Sequence, residues 1–443
     1  MKHEPMVPHV DAELWPGVAA IPSTASHAVG MRTILMRRRI AKLAEHHGAL
    51  NDHALTISDS ATYARIAEFG WVGLLESFLA KEWTSADLTE TITALLTAGL
   101  DSPVTRQWRK LAGSHGLLTQ HQGDGDGGQL PSDLVALYTG DKLTAASALF
   151  ATGVRTTVRT PVESFVPGAG RRGIPQSNVI DLVDIAAPDP IDRADLVDAQ
   201  ARRIDRMLDS AQVRAGDRVL EWPSSGGELA IRAAERGASV TVMTSDLDEA
   251  DAVAERFEEA GLLGAIRIVE TPTAIPNPRE FSGMFDCIFS VERVETLGRG
   301  GLVRYLHAAD RLLAEDGVIV MQNLRATAGF DSEAGWALDT LRAYLWPKLW
   351  LPTAEEIRQA ADKHTGLRVC EEASFPGHYV QTIEQWQGLF EARQREAAGL
   401  GFDRVYRRLW TWYFALLLAL LQSERIDVAQ TVLRRRVRQL GRR

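Results

Sequence analysis

Trp71, Leu74, Leu75, Phe78 and Leu79 recur at i, i+3, i+4, i+7 and i+8, the spacing that lines one face of a helix. Apolar residues keep a largely helical spacing from Met31 to about Leu118, which predicts a small helical domain over residues 31–118. Thr84-Ser-Ala-Asp87 reads as a capping box opening one of its helices, with Asp in place of the usual Glu. Residues 1–30 carry Pro, His and Ala with no clear period and read as a tail or a partner-bound arm. Gly123-Asp-Gly-Asp-Gly-Gly128 has too much backbone freedom and too little apolar surface to pack, so it reads as a flexible linker. A helix is expected from Leu134 to Ala151, and Pro161–Pro190, with several Pro and Gly residues, reads as loop. Residues 119–195 are accordingly a linker and loop region.

The pattern changes at Leu196. Leu196, Ile204, Met207 and Leu208 mark a helix, and Gly216–Glu221 reads as a short strand. A helix from about Leu229 to Arg236, a strand at Ala238–Met243 and a helix over Asp248–Ala260 follow. Phe285–Val291 is a further strand, Leu302–Ala314 a helix and Val318–Met321 a strand. This alternation predicts an α/β fold with a doubly wound, mostly parallel sheet. Ligands of such sheets bind beyond the carboxyl ends of the strands, where the strand order reverses. The turn Glu221-Trp-Pro-Ser-Ser-Gly-Gly227 stands at such an end. Its small residues let a backbone approach a ligand, and the next helix attracts polar or anionic groups at its N-terminus. Many such turns bind nothing, so this one leaves both readings open.

Composition narrows the function class. The 443 residues are 45% hydrophobic and 24% charged, ordinary for a globular chain. A net charge of −9 argues against a broadly basic nucleic-acid surface. Cys287 and Cys370 build no disulfide framework and suit no metal site, which points to a reducing compartment. The longest apolar run, Trp412–Leu421, is about half of what a bilayer core needs. Residues 1–30 lack the parts of a signal peptide, so a cytoplasmic location is expected. Two basic groups stand out: Arg32, Arg37, Arg38, Arg39 and Lys42, then Arg434, Arg435, Arg436, Arg438, Arg442 and Arg443. Both read as lying beside helical, partly apolar segments. They suit peripheral docking on an anionic inner membrane surface, or equally solvated helix ends.

Several separated segments carry a resemblance, in order along the chain. Ala199-Gln200 with Ala211–Glu221 looks like an approach helix and first strand, and FDCIFSVERVETLG over Phe285–Gly298 is similar to FDxIxSVxMFEHVG. Leu312–Gly317 resembles RLLKPGG, YLWPKLWLPT over Tyr344–Thr353 resembles YIFPGGxLPS, and PGHYVQTIEQW over Pro376–Trp386 resembles xxHYxxTLxxW. Arg408–Tyr413 fits a final aromatic helix, and Ile57–Leu88 looks like the small helical domain of longer members. The chain thereby resembles the cyclopropane-fatty-acid synthase family of S-adenosylmethionine-dependent lipid methyltransferases. That resemblance implies a Rossmann-like methyltransferase domain over residues 196–443, with a C-terminal helical part walling a lipid pocket. It implies S-adenosylmethionine as cofactor and bicarbonate as base, held by Glu, His, Tyr, Cys and a backbone group. The acceptor implied is an unsaturated acyl chain of a membrane phospholipid, and the product a cyclopropane or methyl branch.

Carried over by position, Glu295 and Tyr413 hold the base, and Gln322 stands where the family has a His. Ser224, Ser225, Gly226 and Gly227 hold the cofactor, and Glu221 meets its ammonium or caps the turn. Thr244 and Ser245 bind its ribose, with Asp246 near enough to substitute. Trp346, Trp350, Trp386, Trp410 and Trp412 read as core or pocket wall, Glu292 as a solvated second acid, and His307 as a surface or packing residue. His378 is expected to orient Tyr379. The chain also departs from the pattern. Thr296 replaces another His, and no His, Tyr or Cys occurs between Thr139 and Asp286, where the family has His-Tyr-Asp and Tyr-Ser-Cys motifs. Pro223-Ser-Ser-Gly-Gly227 keeps only the last glycine of Gly-x-Gly-x-Gly, and Thr271-Pro-Thr273 stands where Asp-Tyr-Arg is usual. Two readings therefore remain: a divergent lipid methyltransferase, or an inactive paralogue that binds acyl lipids or a partner enzyme as part of a homo- or hetero-oligomer.

Overall fold

The computed structural model describes residues 7–23, 27–46, 55–100, 130–139, 146, 148–150, 153–171, 173–188, 195–271, 273–275, 277–281 and 283–436. The chain divides into two compact units. The first comprises Met1–Gly127, Gly329–Leu349 and Glu391–Arg425; the second comprises Gly128–Ala328, Trp350–Phe390 and Ile426–Arg443. Residues 329–349 and 391–425, expected with the sheet, thus group with the helical unit.

In the first unit the expected apolar stripe is a helix, Trp71–Leu79, buried along its whole length. Gly73 permits a close crossing, because a Cβ there would stand 2.0 Å from the Arg65 carbonyl oxygen. Arg65, on the helix Ala61–Phe69, is fully buried and pairs with Glu82 at 2.9 Å and Glu76 at 3.7 Å. Its guanidinium also donates to the carbonyls of Gly17 and Val18, at 3.1 and 2.7 Å. Residues 7–23 are therefore not a loose tail: Val7, Val10, Val18 and Ala19 are buried, and the Trp15 indole donates to Asp403 at 2.6 Å.

The capping box also needs correction. Thr84 lies in strand β2 (Trp83–Ser85), which pairs antiparallel with β1 (Leu55–Ile57). Asp87 is the N-cap of the helix Leu88–Ala98, accepting from the Glu90 N–H at 2.9 Å. The acid itself supplies the acceptor that the helix start lacks. Asp87→Ala should lower stability by about 1 kcal/mol, read as a lower urea midpoint at unchanged slope.

The second unit is built on one sheet. Its strands are β3 (Val154–Glu163), β4 (Ser177–Ile185), β5 (Arg218–Glu221), β6 (Ser239–Thr244), β7 (Ile266–Glu270), β8 (Phe285–Val291), β9 (Leu313–Ala326), β10 (Leu367–Ser374) and β11 (Ile426–Arg435). The spatial order is β3-β4-β10-β11-β9-β8-β5-β6-β7. From β9 to β7 all neighbours are parallel, whereas β11 is antiparallel to β9 and β10. Leu220, Ile288 and Ile319 face one apolar core, and their neighbours Val219, Phe289 and Val320 face another. Both faces are thus covered, as a parallel sheet requires. The fold is the doubly wound, mostly parallel α/β sheet that the alternation predicts. Chain order reverses between β5 and β8, which places a crevice at their carboxyl ends.

Three further expectations change. Pro161–Pro190 is loop only in part, because it holds the end of β3 and all of β4: Asn178, Ile180, Val183 and Ile185 are buried on β4, and Pro161 sits on the edge strand, where a missing N–H is tolerated. The helix expected over Leu134–Ala151 is Ser132–Thr139, and Ala148 and Phe150 are irregular. Arg434 and Arg435 end strand β11 and do not flank a helix. Arg435 pairs with Asp310 at 3.0 Å, and Arg436 donates to the carbonyls of Asp362 and Thr365. Arg438, Arg442, Arg443 and the segment Gly123–Gly128 lie outside the described residues. No helix among the described residues is long and apolar enough to cross a membrane.

Candidate active site

Glu221 ends β5 and is fully buried, which raises its carboxyl above the usual range. One oxygen accepts from the Ser225 N–H at 2.7 Å and from the Ser225 hydroxyl. The other oxygen is buried without a hydrogen-bond partner. Ser224 donates its N–H to the Met243 carbonyl at 2.7 Å, and the Gly226 N–H reaches the Ser224 hydroxyl at 3.3 Å. Gly227 has φ +89°, and a Cβ there would stand 2.9 Å from the Phe257 ring. Only glycine suits it. Trp222 stacks on Tyr305 at 4.1 Å, and the Tyr305 hydroxyl donates to the Trp222 carbonyl at 3.1 Å.

At the end of β6, buried Thr244 donates its hydroxyl to Glu249 at 2.9 Å. Burial pushes Glu249 up to about 7, with the Thr244 and Ser224 hydroxyls acting against it. Asp246 caps the helix Leu247–Glu259, accepting from the N–H groups of Asp248 and Glu249, while Ser245 is exposed. Glu249 went unread in the sequence, because an acid in the first turn of a helix looks like a simple partner of the helix dipole.

The third corner follows β8. Glu295 is buried in the short turn Val294–Leu297, one oxygen accepting from the Leu324 N–H at 3.1 Å, the other without a hydrogen-bond partner. Burial, then the nearby Glu292 charge, pushes its carboxyl up to about 8. Gln322, on β9, is also buried. It donates to Glu292 at 3.1 Å and accepts from the Gln430 amide at 3.1 Å. The Tyr379 hydroxyl donates to the other Glu292 oxygen at 3.4 Å. Glu292 is therefore not a solvated acid but the centre of a side-chain network, on a residue with φ +47°. Buried Arg203 faces both Glu292 and Glu221, and burial lowers it to about 10. Arg203 and Gln430 had no signal in the sequence: Gln430 meets Gln322 across the β11–β9 pair, and Arg203 reaches the site from the helix Leu196–Ala211.

His378 has a different part from the one expected. Its Nδ1 accepts from the Phe150 N–H at 3.0 Å, so Nε2 donates to the Ala186 carbonyl at 2.7 Å. It is a neutral brace, and burial lowers its affinity for a proton. His307 is exposed. Tyr413 belongs to the first unit, edge-on to Trp410 at 4.8 Å and to Trp346 at 5.6 Å. Trp386, Trp410 and Trp412 are fully buried. Among the described residues no group of His, Cys, Asp and Glu suits a metal ion.

Glu221 and Glu249 thus lie near each other at the ends of β5 and β6, and Glu295 follows β8; Glu221 and Glu295 each have a buried oxygen without a hydrogen-bond partner. The chain is 28% identical over 96% of its length, and 96% of the relative's, to tuberculostearic acid methyltransferase UfaA1 of Mycobacterium tuberculosis. The apo form of mycolic acid cyclopropane synthase CmaA1 superposes with a TM-score of 0.51 at 19% identity, over 69% of this chain and 100% of that one. Coclaurine N-methyltransferase, solved with N-methylheliamine and SAH, superposes with a TM-score of 0.58 at 13% identity, over 83% and 99%. The model of the family described as mycolic acid cyclopropane synthetase matches residues 189–431, more than half of the chain, and it is to this family that the chain belongs.

Proposed function

We propose that the chain is a divergent S-adenosylmethionine-dependent methyltransferase of the cyclopropane-fatty-acyl-phospholipid synthase type, acting on unsaturated acyl chains of membrane lipids. The observation that carries this reading is Glu295, a buried carboxyl with one oxygen anchored and the other unpartnered, beside the Glu292 network. The near full-length likeness to a methyltransferase of tuberculostearic acid supports an acyl acceptor.

The residues present fit S-adenosylmethionine at two of its ends. Glu221, with an unpartnered oxygen, would take the ammonium group, and Thr244 with Glu249 the ribose hydroxyls. The carboxylate end has fewer donors, because Pro223 has no N–H and those of Ser224 and Ser225 are already engaged. When bound, S-adenosylmethionine supplies an electrophilic methyl group. The Glu292 carboxylate, fixed by Gln322 and Tyr379, would favour positive charge developing on the acyl chain. Bicarbonate does not fit in the same way: Gln322 and Thr296 stand for its histidines, and no Cys precedes the sheet in the second unit. Proton removal therefore falls to Glu295 itself, at its unpartnered oxygen.

The engaged donors of the Pro223–Gly227 turn favour a second reading, in which the chain is an inactive paralogue that binds acyl lipids or a partner enzyme. Titration calorimetry with S-adenosylmethionine separates the two. Measurable binding supports the enzyme, and no binding to a folded protein supports the paralogue.

A further inference from the structure

We propose that the outward face of the helix His27–His46 is the surface by which this chain docks on an anionic lipid membrane. The inference rests on the reading of the acceptor as a membrane lipid. It moves the contact away from Arg434–Arg436, whose described members are built into the sheet unit.

The helix has two dissimilar sides. Met36, Ile40 and Leu43 are buried, and the helix packs on Ala61–Phe69. Arg32 pairs with Glu68 at 2.8 Å, and the Arg39 guanidinium donates to the carbonyls of Ala98 and Gly99 at 2.8 and 2.7 Å. These two arginines serve the fold. On the other side Met31, Ile34 and Leu35 are 48%, 51% and 44% exposed, and Arg37, Arg38 and Lys42 follow them, also exposed. Met31, Leu35, Arg38 and Lys42 succeed one another at steps of four, three and four, so they form one stripe. Its first turns are apolar and its later turns cationic, with Glu45 as an exposed acid near the end.

An interfacial helix needs both halves: apolar side chains enter the acyl boundary, and arginines meet lipid phosphates. An apolar protein patch would leave Arg37, Arg38 and Lys42 unmatched, whereas an anionic leaflet satisfies the whole stripe. The net charge of −9 makes such a local cationic face necessary for approach to that leaflet.

The test is co-sedimentation of the full chain with phosphatidylcholine vesicles, with and without phosphatidylglycerol, and with no S-adenosylmethionine added. The unmodified protein should prefer the anionic vesicles, and added salt should weaken binding. Arg37→Glu/Arg38→Glu/Lys42→Glu should lower that binding more than about tenfold, since each cation near the leaflet is worth about fivefold. Ile34→Ser/Leu35→Ser should also lower it, whereas Arg395→Glu, at an exposed cation elsewhere in the same unit, should leave it unchanged. Equal binding of the triple variant and the unmodified protein overturns the proposal. So does a serine variant that changes oligomeric state in light scattering while binding vesicles normally, because the face then belongs to a second copy. Calorimetry with S-adenosylmethionine reports separately on the methyltransferase reading, so the two can fail independently.

Discussion

Glu295→Gln is expected to slow methyl transfer to acyl chains by about 10²- to 10⁴-fold, the usual contribution of a positioned proton acceptor. Gln keeps the shape and can still accept from the Leu324 N–H, but it cannot take a proton. Because burial pushes Glu295 up to about 8, the rate of the unmodified protein should rise as pH rises toward that value. The variant should lose that limb of the profile. The same group links stability to pH. Between about 4.5 and about 8 the folded state holds a proton on Glu295 that the unfolded state has released, so stability falls as pH rises through this window. Gln removes this contribution, which is at most roughly 4–5 kcal/mol. The variant's melting temperature should therefore gain on the unmodified protein from pH 5 to pH 8. Glu76 and Glu249, both raised to about 7, leave some slope in either protein. A merely structural Glu295 would move neither the rate profile nor leave the variant more stable at high pH while inactive.

The second large effect is on cofactor affinity. Pro223→Gly/Ser225→Gly should tighten S-adenosylmethionine binding by about tenfold to a hundredfold. Glycine at 223 restores an N–H, and glycine at 225 removes the hydroxyl that occupies Glu221. A hydrogen bond to a charged group is worth about 1.5–3 kcal/mol, and about 1.4 kcal/mol is tenfold. Calorimetry on both proteins reads the change directly. Low-micromolar binding by the unmodified chain would show that the engaged turn is no obstacle. Absence of binding in both would mean that the loss extends beyond the turn.

Legibility in the sequence followed the strength of local pattern. β5, β6 and β8 are short apolar runs set between amphipathic helices, and those runs predict them. β3 is exposed along most of its length and contains Pro161, so its pattern resembled a loop; only its pairing with β4 makes it a strand. β11 ends in Arg435, paired with Asp310, and Arg436 just beyond it meets the carbonyls of Asp362 and Thr365, all from distant parts of the chain. Residues 7–23, part of the tail expected over residues 1–30, are fastened in part by Arg65, a residue that spacing alone cannot mark as buried. At the site, Glu295 and Gln322 were named only through the family resemblance of the segments around them. Glu292, Glu249 and Arg203 were not, because an acid after a strand or a cation on a helix looks solvated until the sheet folds over it.

The proposed reaction moves a methyl group onto an acyl chain. Incubation with S-adenosylmethionine carrying a labelled methyl and vesicles of monounsaturated phospholipid, followed by lipid extraction, tests it most directly. Label is expected in the acyl chains, reduced about 10²-fold or more by Glu295→Gln. Label that never enters the lipid, from a folded protein that binds S-adenosylmethionine, would contradict it.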